Sequence, residues 1–207
     1  MGASRHLPMA FTLFRLILGP AFFLARARDM GWGVLMVIVG LAILTDWLDG
    51  FLARRWHVVT AGGKLLDPFA DALFCMIALY DCWRTMPYLL PGWIFFAMVA
   101  REGLVTLVLR PVSLWHGLVM GANILGKVKT GLQFAVIVAF VLLQSRPAMG
   151  AGAILAVGRV TAGAALAFSL ISAAVYVRAG WKELSRVRGI ASRGSARLAQ
   201  TRQTGGA

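Results

Sequence analysis

Between Leu7 and Arg178 the chain is a succession of apolar runs of about twenty residues, broken by short clusters of Gly, Pro, Arg and Asp. Runs of that length match the hydrocarbon core of a bilayer, which an α-helix crosses in about 20 residues. In that medium every backbone N–H and C=O must be satisfied within the protein, and a helix does this within one segment. Read against the Gly and Pro punctuation, the runs predict six helices over residues 7–27, 32–54, 64–83, 89–109, 123–144 and 151–178. Of the 207 residues 59% are hydrophobic, enough for about six spans, and only 14% are charged. A soluble domain carries about 25% charged residues. A soluble globular enzyme, a disordered chain and a secreted disulfide scaffold are thereby excluded. The expected fold is an all-α integral membrane domain over residues 1–180.

Cys75 and Cys82 lie seven apart inside one apolar run, which is helix-core spacing with no disulfide or zinc pattern. The first run shows no small-residue cleavage site of the signal-peptide kind and is expected to remain as a span. Residues 181–207 change character, with Lys182, Arg186, Arg188, Arg193, Arg197 and Arg202 set among Ser, Gly and Gln. They are expected to form a basic, partly disordered tail against anionic membrane lipids.

The net charge of +13 would point to nucleic acid in a soluble protein, but here it reads as topology. An even number of spans puts both termini on one side. That side would hold Arg5, Arg54, Arg55, Lys64, Arg110, Lys127, Lys129, Arg178 and the six basic tail residues, fourteen in all, against Arg26, Arg28, Arg84 and Arg146 opposite. By the positive-inside bias both termini are expected in the cytoplasm, in a multi-pass protein of the inner membrane with no nucleic-acid partner. Arg15, Arg101 and Arg159 fall inside apolar runs, and Arg159 has no role that the sequence assigns. Trp32, Trp47, Trp56, Trp83, Trp93 and Trp181 fall near predicted interfaces as an aromatic belt. Gly152, Gly158, Gly163 and Ala167 are expected to let the sixth helix pack tightly.

Half of the eight acidic residues fall in one short stretch. Asp46 and Asp49 end the second predicted helix, and Asp67 and Asp71 open the antiparallel third. Spacings of i, i+3 and i, i+4 put each pair on one helix face, so the four carboxylates converge at one depth, near the cytoplasmic face. Crowded carboxylates repel and need a cationic offset. Oxygen donors at this density suit Mg²⁺ or Mn²⁺, and two divalent ions would balance four negative charges. The alternative is a structural ion network with Arg54, Arg55 and Lys64. Gly50 and Ala53 share the Asp46 face and leave a slot without bulky side chains. Arg54 brings a guanidinium suited to phosphate, and Thr60, Gly62 and Gly63 keep the connecting loop small.

The stretch reads Asp46-x2-Asp49-Gly50-x2-Ala53-Arg54-x8-Gly63-x3-Asp67-x3-Asp71, which resembles the signature of the CDP-alcohol phosphatidyltransferases at all eight fixed positions. The resemblance implies a membrane enzyme, expected to be a homodimer, that moves a phosphatidyl group from CDP-diacylglycerol to an alcohol and releases CMP. It implies that Asp46, Asp49, Asp67 and Asp71 hold two divalent ions, Mg²⁺ or Mn²⁺, and that Asp71 is also the general base. It implies further that Gly50, Ala53, Arg54, Thr60 and Gly63 contact CDP-diacylglycerol.

Other segments bear on the acceptor. Leu66-Asp67-Pro68-Phe69-Ala70-Asp71, Ala100-Arg101-Glu102, Gly126-Lys127-Val128-Lys129-Thr130 with Gln133, and Thr12-Leu13-Phe14-Arg15 resemble the branch that uses glycerol 3-phosphate. His6, Met9 and Ala72 depart from it. Independently, Arg15, Arg101, Arg110, Lys127 and Lys129 would make a cationic pocket for an acceptor phosphate if the helix ends converge, although helix-end lysines also snorkel to headgroups. Other acceptor branches of the family, which make cardiolipin or phosphatidylinositol phosphate, remain open. A cation-coupled transporter is a rival of a different class, since intramembrane acids often mark ion pathways. Transporter acids usually sit near the midplane between structural repeats, whereas these cluster at one interface and no repeat is visible.

Overall fold

The computed structural model describes residues 7–56, 61–109, 111, 124–145 and 150–204. Within these, the side chains of 7–9, 49–50, 52–56, 61–65, 124–126, 179–180 and 182–204 lie outside the description. Every regular element among the described residues is helical: α1 Leu7–Ala27, α2 Trp32–Trp56, α3 Ala61–Thr85, α4 Gly92–Glu102, α5 Ile124–Gln144 and α6 Ala151–Thr204. A π-helical stretch, Gly103–Leu109, continues α4 without a break. The six rods fall where the apolar runs predict them. The difference is at the end, where α6 runs on to Thr204 through the stretch expected to be partly disordered. That stretch contains no Pro, and its Arg and Ala residues are strong helix formers, so a helix that is already nucleated continues through Gly189 and Gly194.

Four helices contain stretches long and apolar enough to cross a bilayer: Ala10–Ala27, Gly92–Leu109, Lys127–Gln144 and Ala151–Arg178. The described part of α2, Trp32–Leu48, is apolar as well. α2 and α3 also carry the charged residues of the motif. Asp46, Asp49, Arg54 and Arg55 occupy the end of α2, while Lys64, Asp67, Asp71, Asp81 and Arg84 are spread along α3. The protein is thus a multi-pass membrane protein in which α2 and α3 carry the acidic motif.

Packing places α3 centrally. It lies against α1, α4 and α5, while α1 also packs on α2, and α5 packs most extensively on α6. Phe74 meets Phe22 edge to face and Phe134 at a tilt in the middle of the bundle, with ring centroids 6.2 and 5.9 Å apart. Cys75 and Cys82 are free thiols in this core. Gly19 sets the α1–α3 approach, since a Cβ there would lie 3.1 Å from Cδ1 of Ile77 and 3.6 Å from the Phe74 backbone. Gly158 similarly sits under Leu89 and Ala139, at 2.4 and 3.2 Å from a built Cβ. The expectation of a small-residue packing face on α6 holds there but not at Gly152 and Gly163, which face open space, nor at Ala167, which is exposed. The buried face of α6 follows Ala162, Ala165, Ser169, Ser172 and Tyr176 instead. Arg159 acquires a partner: its Nε donates to the Tyr88 carbonyl at 2.5 Å and ties α6 to the α3–α4 turn. Nearby, Trp83 stacks on Phe95 at 5.2 Å.

Candidate functional site

The site begins on α1. Thr12 and Arg15 are i, i+3, so they share a face, and both are buried at 1% exposure against α3. A buried guanidinium in a membrane helix is costly unless paired. Arg15 finds carboxylates: its Nη1 donates to Asp71 and lies 3.6 Å from Asp46. The Thr12 hydroxyl donates to Asp67. Three acids from two antiparallel helices are thus gathered on one side of α1. Arg15 lies at the base, Asp71 is 23% exposed, and Asp46 is 44% exposed toward the rim.

The side chain of Asp49 lies outside the described residues, as do those of Gly50, Ala53, Arg54 and Gly63, and Thr60 lies outside them altogether. The backbone of α2 is helical through Asp46, Asp49, Gly50 and Ala53, which places these residues at i, i+3, i+4 and i+7 along one helical face. Gly63 stands in the first turn of α3.

Three carboxylates against one guanidinium leave an excess of negative charge and only oxygen donors, a set whose chemistry fits hard divalent cations such as Mg²⁺ or Mn²⁺. Among the described residues no three such groups close a metal site by themselves. The donor chemistry fits; the described geometry is that of an acid cluster bridged by Arg15.

A second polar layer lies close by. Glu102 accepts from Arg101 Nη1 at 2.9 Å, from Lys129 Nζ at 2.5 Å and from the Thr106 hydroxyl at 3.2 Å. Arg101 Nε also donates to the Ser169 carbonyl at 3.0 Å. All of these residues are buried. Two cations against one carboxylate leave this layer with one positive charge. Thr106 lies on the π-helical stretch that starts directly after Glu102, a widening of the helix of the kind that often marks functional positions. α3, which carries Asp67 and Asp71, packs directly on α4, on the π-helical stretch and on α5, which carry Glu102, Thr106 and Lys129, so the negative and positive layers stand on neighbouring helices.

The five cations expected at an acceptor phosphate are therefore distributed. Arg101 and Lys129 meet, through Glu102. Arg15 belongs to the acid cluster. Lys127 is exposed, two residues from Lys129 and so on a different face of α5, and Arg110 lies outside the described residues. Sequence reasoning missed Ser169 and Ser172, buried beside Arg101; their signal was a pair of serines three apart in an otherwise apolar run.

An all-helical membrane protein with carboxylates from a helix pair set beside a buried positive layer has the parts for charge-stabilised phosphoryl transfer to a polar acceptor. The chain belongs to the CDP-alcohol phosphatidyltransferase family, whose model matches residues 5–175, and it is an enzyme of that class. Among its relatives is the CDP-diacylglycerol–glycerol-3-phosphate 3-phosphatidyltransferase of Bacillus subtilis, 36% identical over 151 residues, or 66% of this chain and 77% of the relative. Proteins of the same name from Pectobacterium atrosepticum and Salmonella typhimurium are 32% and 34% identical, over 71% and 69% of this chain and 82% and 78% of their own lengths.

Proposed function

We propose that this enzyme transfers the phosphatidyl group of CDP-diacylglycerol to glycerol 3-phosphate, giving phosphatidylglycerophosphate and CMP. The observation that carries this reading is the adjacency of the two layers: α3, which brings Asp67 and Asp71 to α1, packs on α4 and α5, which bring Arg101 and Lys129 to Glu102. A donor with a pyrophosphate and an acceptor with its own phosphate require just such neighbouring sites. The names of the relatives specify the same acceptor.

In this reading the primary hydroxyl of the acceptor attacks the lipid-side phosphorus. The new O–P bond forms as the bond from that phosphorus to the CMP oxygen breaks, and CMP leaves with the electron pair. Asp71 takes the hydroxyl proton as general base, with its carboxylate fixed by Arg15. Asp46, Asp49, Asp67 and Asp71 would hold two divalent ions, Mg²⁺ or Mn²⁺, which when bound offset the charge of the pyrophosphate and of the departing CMP. Gly50, Ala53, Arg54, Thr60 and Gly63 take the cytidine diphosphate side. Arg101 and Lys129 orient the acceptor phosphate, assisted by Arg110 and Lys127, while Arg15 stays with the acid cluster.

The basic residues support six spans, both termini cytoplasmic and an active site facing the cytoplasm of the inner membrane, where CDP-diacylglycerol and a water-soluble acceptor meet. The basic residues of 181–207 lie against anionic lipid, and the enzyme works as a homodimer.

The test is CMP release by purified protein given CDP-diacylglycerol, Mg²⁺ or Mn²⁺, and a panel of alcohols. Release with glycerol 3-phosphate is expected. Release only with phosphatidylglycerol or inositol phosphate would replace the acceptor, and no release with any alcohol would overturn the mechanism.

A further inference from the structure

The positive layer between α4, α5 and α6 contains three buried side-chain atoms with no hydrogen-bond partner among the described residues: Nε2 of Gln133 and the Oγ atoms of Ser169 and Ser172. The three residues are 1%, 0% and 0% exposed. A buried polar atom without a partner is costly, and lipid chains have nothing to offer it. Gln133 lies one turn beyond Lys129 on α5. Lys129 and Arg101 share Glu102, and Arg101 donates to the carbonyl of Ser169, with Ser172 one turn further on the same face of α6. Neutral donors and acceptors thus stand beside a net positive charge. That combination fits a molecule carrying both an anion and a hydroxyl.

We propose that Gln133, Ser169 and Ser172 form the hydroxyl-recognition subsite of the acceptor pocket, binding the hydroxyl that does not react. The proposal rests on glycerol 3-phosphate being the acceptor. That molecule presents a phosphate to Arg101 and Lys129, a primary hydroxyl to Asp71, and a secondary hydroxyl that no charged residue accounts for. A serine hydroxyl both donates and accepts, and the glutamine amide nitrogen donates, so the set matches a neutral hydroxyl better than a second anion. A site built to hydrogen-bond a hydroxyl discriminates strongly against an analogue without it, because its own buried groups are then left unpaired. Removing those groups removes the discrimination.

The experiment compares glycerol 3-phosphate with 3-hydroxypropyl phosphate, which keeps the phosphate and primary hydroxyl and lacks the secondary one. CMP release is followed in the wild type, in the Ser169→Ala/Ser172→Ala double variant and in Gln133→Leu. The wild type is expected to prefer glycerol 3-phosphate at least about 100-fold in kcat/KM. In each variant that ratio falls about tenfold or more, while the KM for CDP-diacylglycerol stays within about twofold. A merely structural role lowers both acceptors equally and leaves the ratio intact; that result overturns the subsite, as does a wild type that does not discriminate. If Gln133→Leu does not fold, the serine variant, which only deletes two oxygens, carries the comparison. Wild-type protein inactive with both acceptors but active with another alcohol overturns the acceptor reading itself, and is distinguishable from equal rates on both.

Discussion

Replacing Arg15 by Met tests the electrostatic logic of the acid cluster without touching an acid. The substitution keeps an unbranched apolar stem and deletes the guanidinium. In the structure it removes a hydrogen-bonded ion pair to Asp71 and a looser contact to Asp46 at 3.6 Å. A hydrogen bond to a charged group contributes about 1.5–3 kcal/mol. The Asp46 contact, with its carboxylate 44% exposed, adds less than about 1 kcal/mol. The expected loss is about 2–4 kcal/mol, or roughly 5–15 °C in Tm for a chain of this length. The assay is thermal unfolding of detergent-purified protein in EDTA and again with Mg²⁺ or Mn²⁺. Deleting the guanidinium leaves the carboxylates repelling one another, so added divalent cation should raise Tm more in Arg15→Met than in the wild type. Arg15→Lys, which keeps the charge and loses the planar fork, should fall between the two. An Arg15→Met protein with wild-type Tm in EDTA, or with a cation response no larger than the wild type's, would refute the claim that Arg15 neutralises these acids.

Asp71→Asn should lower turnover by about 10²–10⁴-fold, the span of general-base catalysis, while CDP-diacylglycerol binding, read by equilibrium titration, persists. Lys129→Ala should raise the KM for glycerol 3-phosphate by about tenfold and change the donor KM much less; equal changes in steady-state kinetics would make the lysine purely structural. Gly158→Ala forces a methyl against Leu89 and Ala139 and should cost about 1–3 kcal/mol by thermal unfolding. Gly163→Ala, on the same helix and facing open space, should be neutral or slightly stabilising.

Helix positions were legible in the sequence because bilayer thickness imposes one length on every apolar run, and Gly and Pro mark the breaks. The four-aspartate motif was legible because spacing alone sets which residues share a helix face. Partner choice was not. Arg15 reads along the chain as one more cation available to a phosphate, and only the packing of α1 on α3 turns it toward Asp71 and Asp46. Lys127 and Lys129 look equivalent in sequence, yet a separation of two residues sends one to the surface and the other to Glu102. Glu102 stands next to Arg101 in the chain, but that it joins α4 to α5 depends on a contact across 27 positions. The small-residue reading of α6 failed at Gly163 for a related reason: composition marks where helices can approach, and neighbouring helices determine which side they use.

The same polar contacts that would serve the chemistry also hold the bundle together. α1 is joined to α3 by Thr12–Asp67 and Arg15–Asp71 at one end and by Arg26–Asp81, at 2.7 Å, at the other. α4 is joined to α5 through Glu102–Lys129 and to α6 through Arg101–Ser169. Lipid supplies no hydrophobic force between apolar helices, so buried polar pairs and close packing carry more of the specificity of assembly. Removing one partner leaves the other unpaired in a medium that cannot solvate it. Loss of activity in a variant of Asp71, Lys129 or Arg101 therefore has two sources, a missing chemical group and a loosened helix pair. The two separate only when kinetics are measured on protein whose unfolding transition has been followed in the same detergent. A variant that loses turnover with an unchanged transition has lost chemistry. One that loses both, and regains both when its helix partner is changed to match, identifies an assembly contact.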